Sequence, residues 1–386
     1  ENNLEKVFYD MELPLLPVLA KMERTGIYLD PAPLKELGEK LVQKLNSITS
    51  MIFAQCQETF NLNSPKQLAQ ILFEKLKLSS PSRKKTGTST SADVLEELID
   101  THPIIPLILE YRGLEKLRST YIEALPSYID PHTHRIHCTF NQSIAATGRL
   151  SCQDPNLQNI PIRTQEGKAI RSCFKPQKQG WSFIGGDYSQ IELRILAHFT
   201  QDPELLHAFK TGQDVHTHTA SLVYDIPQAM VTQEMRSFAK TVNFGILYGQ
   251  GAYGLAKQLN ITQKQASQFI ETYFKRYPKV LGFLEESKKK ARKEGAAFTL
   301  TGRRRPIPDL DNPNPMLRSA AERLATNTPL QGTAADLIKI AMIELDKAIL
   351  EKKLEGKMVL QIHDELIFEV PDQEMPIFTT LIQDKM

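Results

Sequence analysis

Two carboxylates carry the first chemistry that this sequence offers. Asp187 follows the run Trp181-Ser-Phe-Ile-Gly-Gly, and Asp364 sits within Gln361-Ile-His363-Asp364-Glu365. The first run predicts a short strand at 181–184, a glycine-permitted turn, and a helix through Ile191, Leu193, Ile195, Leu196 and Phe199. Ser189 and Glu192 fit a capping box at the start of that helix. A well-capped strand-to-helix junction accounts for this string equally well. The second acid lies between two apolar runs, 358–362 and 366–370, joined by a polar turn. That is a hairpin pattern with acids at its tip. Two carboxylates brought together at strand ends by one sheet repel unless a cation lies between them. Oxygen donors without Cys or spaced His suit Mg²⁺. Two such ions about 4 Å apart are a known device for in-line phosphoryl transfer.

A second constellation has a period of four: Arg236, Lys240, Phe244 and Tyr248. On a helix each step drifts by only about 40°, which makes one slanting stripe roughly 18 Å long. Its cations lie toward the helix N-terminus, where the macrodipole also favours anions, and its aromatics at the other end. A nucleoside triphosphate has the same polarity. A buried aromatic stripe with two surface cations is the plainer alternative. His216 and His218 are spaced i, i+2, which points their rings apart on a helix, so no metal site is expected there.

The elements that must position these residues belong to a chain of 386 residues, enough for two or three domains or subdomains. With 41% hydrophobic and 24% charged residues it has the composition of a soluble globular protein. The net charge of +2 announces no polyanion partner, but its distribution is uneven. Residues 275–305 hold eleven Lys/Arg and three Glu, an excess of +8 that leaves −6 for the remainder. A basic surface or a solvated helix face fits that run. Cys56, Cys138, Cys152 and Cys173 form no CxxC, which suggests a reduced, cytoplasmic chain without disulfide framework or zinc site. The charged N-terminus and the absence of any long apolar run give no indication of a membrane role.

In chain order, the pattern predicts helices at 13–22, 33–60, 66–76, 92–100 and 104–125, with a Ser-rich basic loop at 79–90. Residues 135–140 alternate like a strand. Helices dominate from 198 to 322, and a long helix at 320–350 precedes the hairpin. The fold class is α+β.

Residues 187–194 (DYSQIELR), 236–249 (RSFAKTVNFGILYG) and 361–366 (QIHDEL) resemble, in that order, the three motifs of the family A DNA polymerases. Four further stretches, 60–76, 108–121, 146–161 and 327–339, are similar to the same family. The resemblance covers nearly the whole chain. It implies a right-hand polymerase fold, with thumb, a palm built on an antiparallel sheet, and mostly helical fingers. The corresponding boundaries are a palm-associated segment at 1–30, thumb at 31–125, palm at 126–200, fingers at 201–319, and palm again at 320–386. The implied activity is template-directed transfer from dNTPs to a primer 3′-hydroxyl, releasing pyrophosphate, in repair and replication gap filling. The implied partners are primer-template DNA and dNTPs, with two Mg²⁺ ions as cofactors and no membrane, for a monomer in the bacterial cytoplasm associated with the nucleoid.

The resemblance also assigns roles. Asp187, Asp364 and the Tyr188 backbone would hold the metals, with Glu365 and Lys240 also at the chemistry. Arg236, Lys240, Phe244, Tyr248, His216, Gln190 and Arg163 would bind the dNTP, and Glu192 would exclude a ribose 2′-hydroxyl. Arg149 and Gln331 would reach the minor groove, where acceptors occupy similar positions in every correct pair. Asn327 and Arg323 would support that face, Arg83, Lys84 and Lys85 would grip duplex phosphates, and His363 would sit in a tight turn near DNA. Two other readings stay open: a single-subunit RNA polymerase, which Glu192 opposes, and a duplex-binding module with a decayed site. The family's chain normally continues beyond a stretch like Asp384-Lys-Met386, with a further helix and a closing strand. No second acidic cluster with a nuclease-like pattern appears, so no 3′→5′ exonuclease activity is expected from these residues.

Overall fold

The computed structural model describes residues 4–79, 83–84, 87–162 and 164–386, the side chains at 83–84 and 87–88 excepted. The chain divides into two compact units. The first comprises Glu1–Arg24, Phe140–Cys152 and Phe183–Met386, and the second Thr25–Thr139 and Gln153–Ser182.

The second unit is built on the helix Pro31–Cys56, which packs against the helix Ile104–Leu117. Asp30 caps the first of these by accepting from Ala32 N at 3.1 Å, with proline at the opening position, where no N–H is needed. Leu34, Leu41, Leu45, Ile48 and Ile52 form its buried stripe. Ser64 caps the next helix, Pro65–Ala69, at 3.4 Å from Gln67 N. In place of the loop expected at 79–90, residues 83–84 and 87–88 pair as a short antiparallel ribbon. The side chains of Arg83 and Lys84, and all of Lys85, lie outside the described residues.

Apart from Thr25, Trp181 and Ser182, the first unit contains α1 (Leu13–Thr25), β1 (Trp181–Asp187), α2 (Ile191–Thr200), α3 (Val215–Tyr224), α4 (Gln233–Leu247), α5 (Pro278–Glu294), α6 (Pro315–Glu351), β2 (Lys357–Ile362), β3 (Glu365–Pro371) and α7 (Met375–Lys385). The sheet order is β2-β3-β1, with β2 and β3 antiparallel in a hairpin whose tip pairs Ile362 with Glu365. All of β2 except Lys357 is buried, as expected of a strand covered on both faces. A helical core of Leu193, Leu196, Val242, Ile246, Tyr273 and Tyr277 lies under α2 to α5.

The structure corrects several local expectations. The strand does not stop at Ile184 but runs through Gly185 and Gly186 to Asp187. The capping box of Ser189 and Glu192 does not form. The N-cap of α2 is Gln190, left-handed at φ 57° without a side-chain cap, because the Glu192 carboxylate is engaged elsewhere. The 135–140 strand is two pieces, Arg135–Ile136 and Thr139–Asn141, and α6 starts at Pro315, capped by Asn314. The helix expected at 92–100 ends at Glu96.

The basic run 275–305 is not a bare cationic face. Arg276 pairs with Asp225, Lys288 with Glu285, and Arg292 with Glu322. Arg303 turns inward to Glu12 and Asp336. All four cysteines are buried free thiols. Among the described residues, no helix is long and apolar enough to cross a membrane.

Candidate active site

The two acids meet through the sheet order. β1 delivers Asp187 at its last residue, and the hairpin turn holds Asp364. Tyr188 N donates to the Asp364 carbonyl at 3.1 Å, which ties the two segments together by backbone. His363 makes the turn possible by adopting φ 54°, and Gln361 Nε2 donates to its carbonyl. Burial pushes the Asp364 carboxyl up; Arg149 pulls it back, and Asp187 raises it again by like-charge repulsion. Gly185 leaves room for Glu365, since a Cβ there would stand 2.7 Å from Glu365 Oε1.

Beside the acids, Glu192 is 5% exposed and carries two partners. Arg149 Nη2 donates to its Oε1 at 2.8 Å, and the Tyr248 hydroxyl donates to its Oε2 at 2.7 Å. Burial raises the Glu192 carboxyl, against the pull of Tyr248 and Arg149. The Tyr248 phenol is pushed up, first by burial and then by the Glu192 charge. Arg149 Nε is buried without a partner among the described residues, so this guanidinium retains an unused donor there.

The stripe lies on α4, with Tyr248 as its C-cap residue. The Phe244 and Tyr248 rings are 6.2 Å apart and nearly parallel at 23°. Arg236 makes a two-point pair with Asp214, Nε to Oδ1 at 3.1 Å and Nη2 to Oδ2 at 2.8 Å. Asp214 also caps α3 through Thr217 N at 2.7 Å. Burial works to raise the Asp214 carboxyl, but Arg236 and Thr217 hold it down at about 2. Lys240 is exposed and has no ion pair among the described residues. His216 is 2% exposed, with its ring 5.7 Å from that of Phe244. Burial lowers its pKa to about 4; Asp214 opposes this, and Arg236 and Lys240 reinforce it. His218 diverges as the i, i+2 spacing requires, toward Glu204 and Gln228.

Gln331, Asn327 and Arg323 follow one face of α6 at four-residue spacing. Gly332, beside Gln331, lets α6 approach the turn that bears Arg149, since a Cβ there would lie 3.3 Å from the Thr147 carbonyl. Arg323 lies over Gly249, just after Tyr248, and donates to Ser319 Oγ at 3.0 Å. Arg163 lies outside the described residues.

Sequence reasoning missed Asp214, Asn243 and Thr219, and the inward Arg303. Asp214 three residues before Thr217 was a visible capping signal. Asn243, within the motif helix, gave none. The donors at the acid pair fit a hard divalent cation: two carboxylates that repel each other, with no thiolate among them. Among the described residues, no group of three or more His, Cys, Asp or Glu is arranged to hold a metal by itself. Further oxygens for such an ion would have to come from substrate phosphates and water, as is usual for Mg²⁺.

A family model described as DNA polymerase family A matches residues 31–386. DNA polymerase I of Bacillus subtilis is 48% identical over 387 residues, covering 100% of this chain and 44% of that protein. The thermostable DNA polymerase I of Thermus thermophilus is 45% identical, covering 100% of this chain and 46% of its own length. This chain thus spans less than half the length of these curated relatives. A solved structure described as the POL domain of Pol1 from M. smegmatis in complex with DNA primer-template and dNTP superposes with a TM-score of 0.93. It is 42% identical, and the match covers 97% of this chain and 66% of that one.

Proposed function

The chain belongs to DNA polymerase family A, and from that premise we propose that it performs template-directed DNA synthesis. A nucleotidyl group passes from a dNTP to a primer 3′-hydroxyl, and pyrophosphate leaves. The observation that carries this reading is the bridge Arg149–Glu192–Tyr248, which joins the acid-bearing segment to the end of the cation-to-aromatic stripe.

Each residue then has a task. Asp187 and Asp364 would hold two Mg²⁺ ions, with the Tyr188 carbonyl as a further oxygen donor. When bound, those ions would acidify the primer hydroxyl and neutralise the triphosphate and the leaving pyrophosphate. Glu365, at the start of β3 beside Gly185, flanks the acids. Lys240, exposed and without an ion pair among the described residues, binds phosphate oxygens as a compact charge. Arg236 joins it on exchanging Asp214 for phosphate, an equivalent two-point acceptor. Phe244 flanks the sugar, Tyr248 packs by the nascent pair, and Gln190 lines the entrance to α2. Glu192 fills the space beside the sugar that a ribose 2′-hydroxyl needs, and a hydroxyl forced there would be desolvated without a free partner.

On the duplex side, Arg149 and Gln331 present donors to the minor groove, supported by Asn327 and Arg323. The left-handed backbone of His363 shapes the turn that holds Asp364. Arg83, Lys84 and Lys85 supply sequence-independent phosphate contacts, and Arg163 a further triphosphate contact. We further propose a thumb at 31–125, a palm at 126–200 and 320–386 with the associated segment 1–30, fingers at 201–319, a monomeric state, and a place in the bacterial cytoplasm at the nucleoid.

Primer extension on a defined template tests this directly. Extension should require template, dNTPs and Mg²⁺, and should stop on chelation. Equal use of rNTPs and dNTPs would favour an RNA polymerase instead.

A further inference from the structure

Behind the stripe lies a chain of polar side chains that the reaction as described does not use. Tyr277 and Thr219 are 0% exposed, Asn243 1% and His216 2%, so water cannot substitute for any member. The Tyr277 hydroxyl is 3.0 Å from Thr219 Oγ1. Thr219 Oγ1 is 3.3 Å from Asn243 Oδ1 and accepts from Asn243 Nδ2 at 3.1 Å. Asn243 Nδ2 then stands 3.0 Å from His216 Nδ1. Among the described residues, no hydrogen bond engages the other ring nitrogen, Nε2.

The direction of the bonds follows from the chemistry of the groups. An amide nitrogen only donates, so the His216 Nδ1 that faces it must be the bare, accepting nitrogen. A neutral imidazole with Nδ1 bare carries its proton on Nε2. We infer that Asn243 is a positioning residue for the nucleotide site: its amide keeps the His216 proton on Nε2, where it can be donated to a phosphate oxygen of the incoming nucleotide. This rests on the proposed reading that His216 faces the triphosphate. The other ring form, with the proton on Nδ1, would turn a lone pair toward the phosphate and repel it. Thr219 Oγ1 lies against both ends of the Asn243 amide, with the Tyr277 hydroxyl behind it, so the amide stays within reach of the ring. The same amide opposes protonation of Nδ1, so His216 acts as a neutral donor while Arg236 and Lys240 supply the charge. The charged groups around the ring are Asp214 on its own helix and Arg236 and Lys240 on α4. Tyr277 closes the far end of the chain of hydroxyls.

The test uses the full chain with ¹⁵N-labelled histidine, and the His216 signals are assigned by their loss in His216→Gln. In the wild type, Nδ1 should give the signature of an unprotonated nitrogen and Nε2 that of an N–H, from pH 6.5 to 9. Asn243→Asp preserves the shape but replaces the donor with an acceptor, so the proton should move to Nδ1. In that variant the dNTP KM should rise about three- to tenfold between pH 7 and 9, as the doubly protonated ring loses its Nε2 proton. The wild-type KM should change by less than about twofold over that range. Thr219→Val removes a hydroxyl that contacts the amide, frees the amide to turn and should give a mixture of both ring forms, which covers the case of an unfolded Asn243→Asp. A wild-type ring protonated on Nδ1, or a ring form unmoved in folded variants, overturns the inference. If His216→Gln leaves the dNTP KM unchanged, the triphosphate contact fails while the proton assignment stands.

Discussion

At Glu192 one carboxylate serves two elements, receiving Arg149 at 2.8 Å and Tyr248 at 2.7 Å while 5% exposed. The Ser189–Glu192 spacing invited a capping reading, and it failed because a buried charge-assisted pair outcompetes an exposed cap. Removing the carboxylate therefore leaves Arg149 without its ion partner, not a helix without its cap. Glu192→Ala should lower stability by about 1–3 kcal/mol and raise the rNTP-to-dNTP incorporation ratio. Glu192→Gln, close to the same volume, should weaken the Arg149 pair yet move the ratio less. Thermal melts and competition between the two sugars measure both effects. If neither variant changes the sugar ratio, Glu192 only organises its neighbours. The acids and the stripe were legible because motif order and four-residue spacing are sequence properties. Asp214 and Asn243 were not singled out, since what matters is the partner each finds on another helix.

At the scale of elements, two glycines allow close approaches around the Thr147-Gly148-Arg149 turn, Gly148 to Arg303 and Gly332 on α6 to Thr299 and Thr147. A Cβ on Gly148, at φ +82°, would stand 2.5 Å from Arg303 Nε. One on Gly332 would stand 2.5 Å from Thr299 Cγ2 and 3.3 Å from the Thr147 carbonyl. Helix propensity alone would favour Gly332→Ala by up to about 1 kcal/mol. Thr299 cannot yield easily, because its hydroxyl meets Thr301 Oγ1 at 2.9 Å and accepts from Arg303 N at 3.0 Å. Overpacking should win, with a net loss of about 1–3 kcal/mol in denaturant titrations. A stabilised Gly332→Ala would show that Thr299 can move away from the helix. Long helices and the hairpin were readable from apolar spacing and caps such as Asp30 and Ser64. Short strands such as Arg135–Ile136 were blurred, because two or three residues carry too little periodicity to mark an end.

Across the first unit, a set of four charges, two fully and two largely buried, ties Glu12, just before α1, to α6 and to the basic run. Lys339, 0% exposed, donates to Glu12 at 2.7 Å; Arg303 pairs with Glu12 and, through Nε, with Asp336 at 2.7 Å. Two positive and two negative groups balance, so deleting one strands another away from water. Lys339→Met should cost about 3–5 kcal/mol, and adding Glu12→Gln should recover part of that loss in a double-mutant cycle. Burial works to raise the Glu12 carboxyl, but Lys339 and Arg303 hold it below its ordinary 4.5. Its contribution to stability is thus fully present above pH 4.5 and lost as pH falls through the lower folded value, which acid titration of wild type against Glu12→Gln measures. None of this was visible in composition, where Arg303 counted only toward a basic face. In the proposed reaction the acid pair supports nucleotidyl transfer on a primer that other residues hold. Single-turnover dNTP incorporation, alongside duplex affinity, tests it in Asp187→Asn and Asp364→Asn. Incorporation should fall on the order of 10³-fold or more while duplex Kd stays within about threefold. Near-normal incorporation by either variant would remove the acid pair from the chemistry.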